Sequence, residues 1–421
     1  MTRGLLAGYG EMTITPELGT ELTGFGFYLR RRAEEVVDDL KVRALSLRSP
    51  SQSLLLISCD LIGLTVDFCN RIRRRLAARQ GIPTENTLLA STHTHSGPAS
   101  QPLIGLGRIN PAFIRWLPAA IEEAASRARA DEKKAEFGFH SEVIEPIGFN
   151  RRERNFAQID PWLLTAVFKQ RKKRIFLLNY ACHPVTLGPS RAVSADWPGA
   201  AVAEIEKEGD RALVFQGFCG DIDPVAYLNR RLGGTKEDIT LMGKIIASRA
   251  IKSERFIRYE VAPALAAGEE RIRLPLQVFP KSKIGREFKA AFRSLQEFPG
   301  GRRVVEVWRR RVEKKHADFL RSPWMEGVPV HALTIGSLRI LGLPGEVFCG
   351  LGLKLRRRFS SLMTVGYANG NVGYLPTRRA FREPEDYACY AAPRFYSLFP
   401  FSPQVESIIL RASRKILTSL P

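Results

Sequence analysis

Leu88-Leu89-Ala90-Ser91-Thr92-His93-Thr94-His95-Ser96-Gly97-Pro98 is an apolar run that ends in two histidines and a Gly-Pro stop. The run predicts a buried strand over 86–91. An i, i+2 spacing on a strand puts His93 and His95 on one face. Two imidazoles at a strand mouth suit a borderline metal such as zinc. The competing structural reading is a hydrogen-bonded polar pair at a strand end. Only six histidines occur in the 421 residues, so a pair at one spot stands out.

Working outward, strands are expected at 53–62, 135–139, 162–169, 174–181 and 212–218. Amphipathic helices are expected at 67–80, 111–130, 197–208 and 237–253. Such alternation indicates an α/β class with buried mixed sheets covered by helices. Residues 269–322 depart from it, with one strand (271–278) followed by two very basic helices (281–298 and 302–322). They read as a basic helical insertion. Strands resume at 331–335, 338–343 and 363–372, with a helix to 359 and a closing helix at 403–420. No repeat and no low-complexity linker shows, so 1–421 reads as a single domain.

Composition narrows the class. No apolar stretch approaches the roughly eighteen residues of a membrane span, and the first residues lack the apolar core of a secretory signal. Six scattered cysteines without a CxxC pair fit reduced thiols and a cytoplasmic setting. The net charge is +21, gathered in clusters such as Arg30–Arg32, Arg73–Arg75, Arg309–Arg311 and Arg356–Arg358. That favours acidic partners, but most clusters fall on helices whose polar face is solvated, and no nucleic-acid motif accompanies them.

Other strand ends also carry ligand-type side chains, and ligands gather at such ends in α/β sheets. Ile175 to Ala181 runs into Cys182-His183-Pro184, and Ala212 to Phe218 into Cys219-Gly220-Asp221-Ile222-Asp223-Pro224. Leu338 to Leu343 runs into Pro344-Gly345-Glu346, and Gly373-Tyr374-Leu375-Pro376-Thr377 adds a tyrosine. Singly, each has a plain structural explanation: Asp221 and Asp223 as turn caps, Glu346 as a first-turn acid, Tyr374 as core. Jointly they point to one site.

In this order, Ser91-Thr92-His93-Thr94-His95-Ser96-Gly97-Pro98, Cys182-His183-Pro184, Gly220-Asp221-Ile222-Asp223-Pro224 and Pro344-Gly345-Glu346 resemble the neutral/alkaline, non-lysosomal ceramidase family. Met12-Thr13-Ile14-Thr15-Pro16 and Ser58-Cys59-Asp60-Leu61 add to the resemblance, which spans nearly the whole chain. It implies a ceramidase-like metallohydrolase catalytic domain that cleaves an amide bond with one Zn2+. It assigns His93, His183, Glu346 and Tyr374 as metal ligands and His95 as a catalytic helper. Tyr387, with Tyr390 as competitor, is the further active-site tyrosine. Two departures stand out. Asp223 occupies the position of the family's catalytic serine, and no residues remain for the family's C-terminal β-sandwich domain.

The expected reaction is attack by a zinc-activated water on an amide or ester carbonyl. His95 would be general acid, Asp223 base or substrate contact, and Arg151 and Asp221 substrate-binding. A second-metal role for Asp221 with Asp223 stays open. The substrate is a small-molecule or lipid amide, with peripheral contact to an anionic membrane as a variant. The rival reading is a basic nucleic-acid- or membrane-binding protein with a structural metal site. Metallo-β-lactamase-like enzymes need H-x-H-x-D-H, absent after His95. Barrel amidohydrolases need more strand-end histidines than His183 and His331 supply.

Overall fold

The computed structural model describes residues 4–229, 233–295 and 299–421. Its elements fall into three units of one topology: three antiparallel strands, a helix, a fourth strand parallel to the third, and a second helix. The first unit holds β1 (Leu5–Thr13), β2 (Lys41–Arg48), β3 (Ser53–Cys59), α1 (Val66–Gln80), β4 (Thr87–Ser91) and α2 (Pro111–Ala130). The second holds β5 (Lys133–Val143), β6 (Trp162–Lys169), β7 (Arg174–Tyr180), α3 (Asp196–Glu206), β8 (Arg211–Gln216) and α4 (Lys236–Ser253).

In the third unit, β9 (Leu265–Pro275) is followed by α5 (Lys281–Leu295) and α6 (Gly301–Lys314). After them come β10 (Trp324–Ile335), β11 (Leu338–Gly342), α7 (Cys349–Arg356), β12 (Leu362–Val365) and α8 (Val405–Ser419). The chain shows no repeat of residues, yet the three units repeat one topology. The repetition lies in topology rather than in residues, which is why scanning the chain misses it.

Units one and two join edge to edge through Leu5–Ala7 and Lys133–Ala135 in an eight-stranded sheet, ordered β8-β7-β6-β5-β1-β2-β3-β4. Unit three forms a separate four-stranded sheet, β9-β10-β11-β12. Strand alternation then builds the layers. Leu45, Leu47, Leu54, Leu56 and Leu88 face Leu333, Ile335, Ile340 and Val365 of the smaller sheet. Val42, Ala44, Leu55, Ile57 and Leu89 face the opposite way and are covered by α1 and α2. Helices α3 and α4 cover the other half of the large sheet.

Most expected elements appear within a few residues of their boundaries. Strands β1 and β2 were not expected, because Gly8, Gly10, Arg43 and Ser46 interrupt their apolar pattern. The two glycines let α2 lie directly on β1: a Cβ on Gly8 would come within 2.1 Å of the Ala128 carbonyl, and one on Gly10 within 2.3 Å of Ala124. The expected strand at 363–372 stops at Val365, and the chain then bends through Tyr367 and Asn369, both in the left-handed region.

The stretch expected as a basic insertion begins inside the smaller sheet. Residues 269–275 belong to β9, a full member of the smaller sheet, and the expected helix over 281–298 is described only to Leu295. The second expected helix is broken into α6 and a short turn of helix, His316–Arg321. Apolar spacing seats α6 on the core: Val304, Val305, Trp308 and Val312 are buried, and Trp308 Nε1 donates to the Leu398 carbonyl at 2.7 Å. Truncating Trp308 to alanine would cost about 3–5 kcal/mol. Its arginines stay outside, as the solvated-face reading requires. No helix among the described residues is long and apolar enough to cross a membrane.

Candidate metal centre and active site

The C-terminal ends of the three fourth strands are tied together at one junction. Gln216, at the end of β8, donates through Nε2 to the carbonyls of Thr92 (3.2 Å) and Cys182 (2.8 Å). Its own carbonyl accepts from Gly366 N at 2.9 Å, just past β12. Ser91 N, at the end of β4, donates to the Tyr367 carbonyl.

The two histidines of the THTH segment meet, though not by strand alternation. β4 ends at Ser91, and His93 sits at φ +73°, a left-handed conformation rare for a residue with a side chain. Local backbone strain of this kind persists where the surroundings over-determine it. Here His93 N donates to Leu61 O, Nδ1 lies 2.5 Å from the Ile62 carbonyl, and the ring stacks on Tyr367 at 4.0 Å. The expectation of one shared strand face is corrected to a turn that rotates His93 beside His95. Their Nε2 atoms lie 3.1 Å apart.

His183 follows β7 in the same style, with Nδ1 2.7 Å from the Cys219 carbonyl. A carbonyl only accepts, so in both His93 and His183 Nδ1 carries a proton, and Nε2 is the nitrogen left facing the centre. Both Nε2 atoms converge on Glu346 Oε2, at 3.5 Å and 3.3 Å. Tyr396 donates to the other oxygen, Oε1, at 2.8 Å and so fixes which oxygen faces the imidazoles. Two imidazole nitrogens and one carboxylate oxygen are a donor set that suits zinc. His93, His95 and His183 also form a group whose ligand atoms all lie within 4.8 Å of one another.

Electrostatics follow the burial. Burial opposes the charge on Glu346, but hydrogen bonds from His183 and His93 outweigh it and hold the carboxyl well below its usual range. Burial, then the neighbouring His93 and His183, push His95 well below the ordinary imidazole range, so it is neutral. Its Nδ1 is buried without a hydrogen-bond partner among the described atoms. Phe25 stands edge-on to the His95 ring, and a Cβ on Gly24 (φ +97°) would lie 2.4 Å from it.

Above the imidazoles opens a cavity of about 940 Å³. Phe25, Phe27, Leu106, Phe149, Phe348 and Tyr387 give it mainly apolar walls, while His95, Tyr374 and the charged Arg151, Arg152, Arg154, Asp223, Glu383 and Asp386 also line it. Arg151 links two of the other expected residues, Tyr374 and Asp223. Its guanidinium donates to the Tyr374 hydroxyl (2.8 Å) and the Gly220 carbonyl (2.8 Å), and pairs with Asp223 Oδ1 at 3.3 Å. Tyr374 is also held beside Glu346 by a short parallel pairing of Glu346–Val347 with Tyr374–Leu375.

Asp221 and Asp223 part company, although the sequence placed them on one face. Asp221 is buried. Its Oδ1 accepts from Cys349 N at the start of α7 (2.7 Å) and its Oδ2 from Asn150 Nδ2 (3.2 Å), away from the cavity wall. Asp223 lines the cavity. Tyr387 lines it too, whereas the Tyr390 hydroxyl donates to the Phe381 carbonyl outside it. His331 lies far down β10, clasped between the Glu85 carbonyl and Asn369. Tyr396 and Tyr367 were missed, because nothing in their local spacing ties the one to Glu346 or the other to His93.

No family model matches the chain. A neutral ceramidase of Mycobacterium tuberculosis is 24% identical over 470 residues, covering 91% of this chain and 72% of that protein. A crystal structure of neutral ceramidase from Pseudomonas aeruginosa superposes with a TM-score of 0.74 at 18% identity, over 100% of this chain and 76% of that one. The chain has the neutral ceramidase fold. A ceramidase complexed with C2 gives a TM-score of 0.73 at 16% identity, over 99% of this chain and 76% of that one. The resemblance read from THTHSGP, CHP, GDIDP and PGE thus holds along the sequence and through the fold.

Proposed function

We propose that this ceramidase-like chain is a zinc-dependent hydrolase of an N-acyl amide. The observation that carries the reading is the convergence of His93 Nε2, His183 Nε2 and Glu346 Oε2 beneath a largely apolar cavity. These three residues would hold the ion, with Tyr374 beside them. Bound there, zinc supplies Lewis acidity toward a carbonyl oxygen and lowers the pKa of a water toward ~7.

The protein's own groups divide the remaining work. The aromatic walls take an acyl chain and exclude water, which strengthens every electrostatic contact inside. His95, neutral and already aimed at the site, donates a hydrogen bond from Nε2 to the charge that develops on the carbonyl oxygen and keeps its proton. Arg151 holds the Tyr374 hydroxyl and keeps Asp223 turned into the cavity. A carboxylate there cannot serve as an acylated serine. It accepts a proton from, or a hydrogen bond with, an amine or hydroxyl of the substrate.

The test is a panel of N-acyl amides and simple esters assayed with native, chelator-treated and zinc-restored protein. Turnover of an N-acyl amide that the chelator abolishes and zinc restores is expected. Metal-independent turnover, or none on any amide, would overturn the reading.

A further inference from the structure

A second cleft, of about 320 Å³, lies directly behind the wall of the large cavity. Two segments separate the two spaces. Gly24 to Phe27 and Leu106 face the large cavity, while Tyr28, Arg30, Arg32, Gly105, Gly107 and Arg108 face the cleft. Arg303, from the first turn of α6, closes it by stacking over the Tyr28 ring at 4.2 Å. The cleft therefore gathers four guanidinium groups, from three separate parts of the chain, against one carboxylate, Glu21. Glu21 is engaged with Arg108 at 3.4 Å.

Four like charges around so small a space repel one another unless an anion joins them. The backbone also holds them there at a cost. Tyr28 and Arg30 adopt φ +57° and +48°, left-handed values that residues with side chains rarely take. The loop is pinned on both sides. Tyr28 N donates to the Gly105 carbonyl at 2.7 Å, and a Cβ on Gly105 would press on the Tyr28 ring at 3.0 Å. Directly after the two strained residues Arg31 is buried, and its guanidinium donates to the carbonyls of Thr23, His95 and Ser190.

We infer that this cleft is a binding site for a phosphate group, separate from the metal centre and independent of any hydrolysis there. Planar guanidinium forks pair with phosphate oxygens two at a time, and a phosphate ester carries enough charge to satisfy several at once. The ester can come from a soluble phosphorylated molecule or from a lipid headgroup, since the cleft opens at the protein surface on exposed Arg30, Arg32, Arg108 and Arg303.

The test uses the full chain with inorganic phosphate and glycerol 3-phosphate in equilibrium dialysis. Sedimentation with phosphatidate-containing vesicles, against phosphatidylcholine vesicles, forms the second arm. Saturable binding is expected, weakened about tenfold by either Arg30→Ala or Arg303→Ala, as loss of one charge-assisted fork predicts. Arg310→Ala removes the same charge from the same helix outside the cleft, and should change nothing. Binding of glycerol 3-phosphate assigns a soluble ester. Capture by phosphatidate vesicles alone, lost in Arg303→Ala, assigns a headgroup. Absence of saturable binding in both arms overturns the site. So does an equal loss in Arg310→Ala, which would reduce the effect to net charge.

Discussion

The first and third units run through the same order of strands and helices, yet they arm the junction with opposite chemistry. Unit one delivers imidazoles, His93 and His95, just beyond its fourth strand. Unit three delivers a carboxylate, Glu346, beyond its third strand, and tyrosines, Tyr367 and Tyr374, beyond its fourth. Unit two supplies one imidazole beyond its third strand and the acidic pair beyond its fourth. Topology thus fixes where chemistry can be placed, and each unit's residues decide which chemistry it is.

His331 completes the comparison, because it belongs to unit three and is as buried as His93. It lies within β10, away from the junction, and both its nitrogens are used. Nε2 faces the Glu85 carbonyl at 2.5 Å, and Nδ1 faces Asn369 Nδ2 at 3.0 Å. The site imidazoles keep one nitrogen turned to the centre. A buried histidine is a ligand candidate only when the fold leaves it a lone pair to give.

The largest effect expected from breaking this contrast is at the imidazoles. His93→Ala and His183→Ala should each abolish zinc retention and reduce hydrolysis to background, read by elemental analysis after dialysis and by turnover. Stoichiometric zinc in the double variant would move the metal centre elsewhere. Next in size is Asp223→Asn. It removes a charge from the cavity wall but none of the donors, so zinc should stay while turnover falls by about 10²–10⁴-fold, the range for a lost acid–base group. Full activity would strike Asp223 from the mechanism.

The smallest effect is at His331. Burial, with help from nearby Arg73, lowers its pKa to about 4, whereas an exposed imidazole titrates near 6.5. Between those values the unfolded chain holds the proton and the folded chain does not. Stability should therefore be full above about pH 6.5 and fall on acidification toward pH 4, by at most about 1.4 kcal/mol per pH unit for this group. His331→Gln should remove that share of the slope in chemical denaturation while leaving zinc binding intact. An unchanged slope would show that His331 does not supply it.

How much was legible follows from how far each signal reaches along the chain. Apolar periodicity is local, so β3, β4, β6, β7, α1 and α2 could be read from runs such as Ser53 to Ile62 and Pro111 to Ala130. It fails where an approaching partner sets the residue, as at Gly8 and Gly10 under α2. The candidate ligands were legible because they follow strands directly and carry rare side chains. Tyr396 was not, because its link to Glu346 exists only after two distant loops fold together.

By itself the sequence determined the α/β alternation, the solvated basic face of α6 and a set of candidate metal ligands. Those depend on side-chain chemistry and on periods of a few residues. Only the tertiary structure decided that three units share one topology and that their strand ends meet at Gln216. It alone turned Asp223 into the cavity and Asp221 onto α7, and separated His331 from the other imidazoles. The physical reason is that a lone pair's direction, and what already occupies it, is set by contacts between residues far apart in the chain.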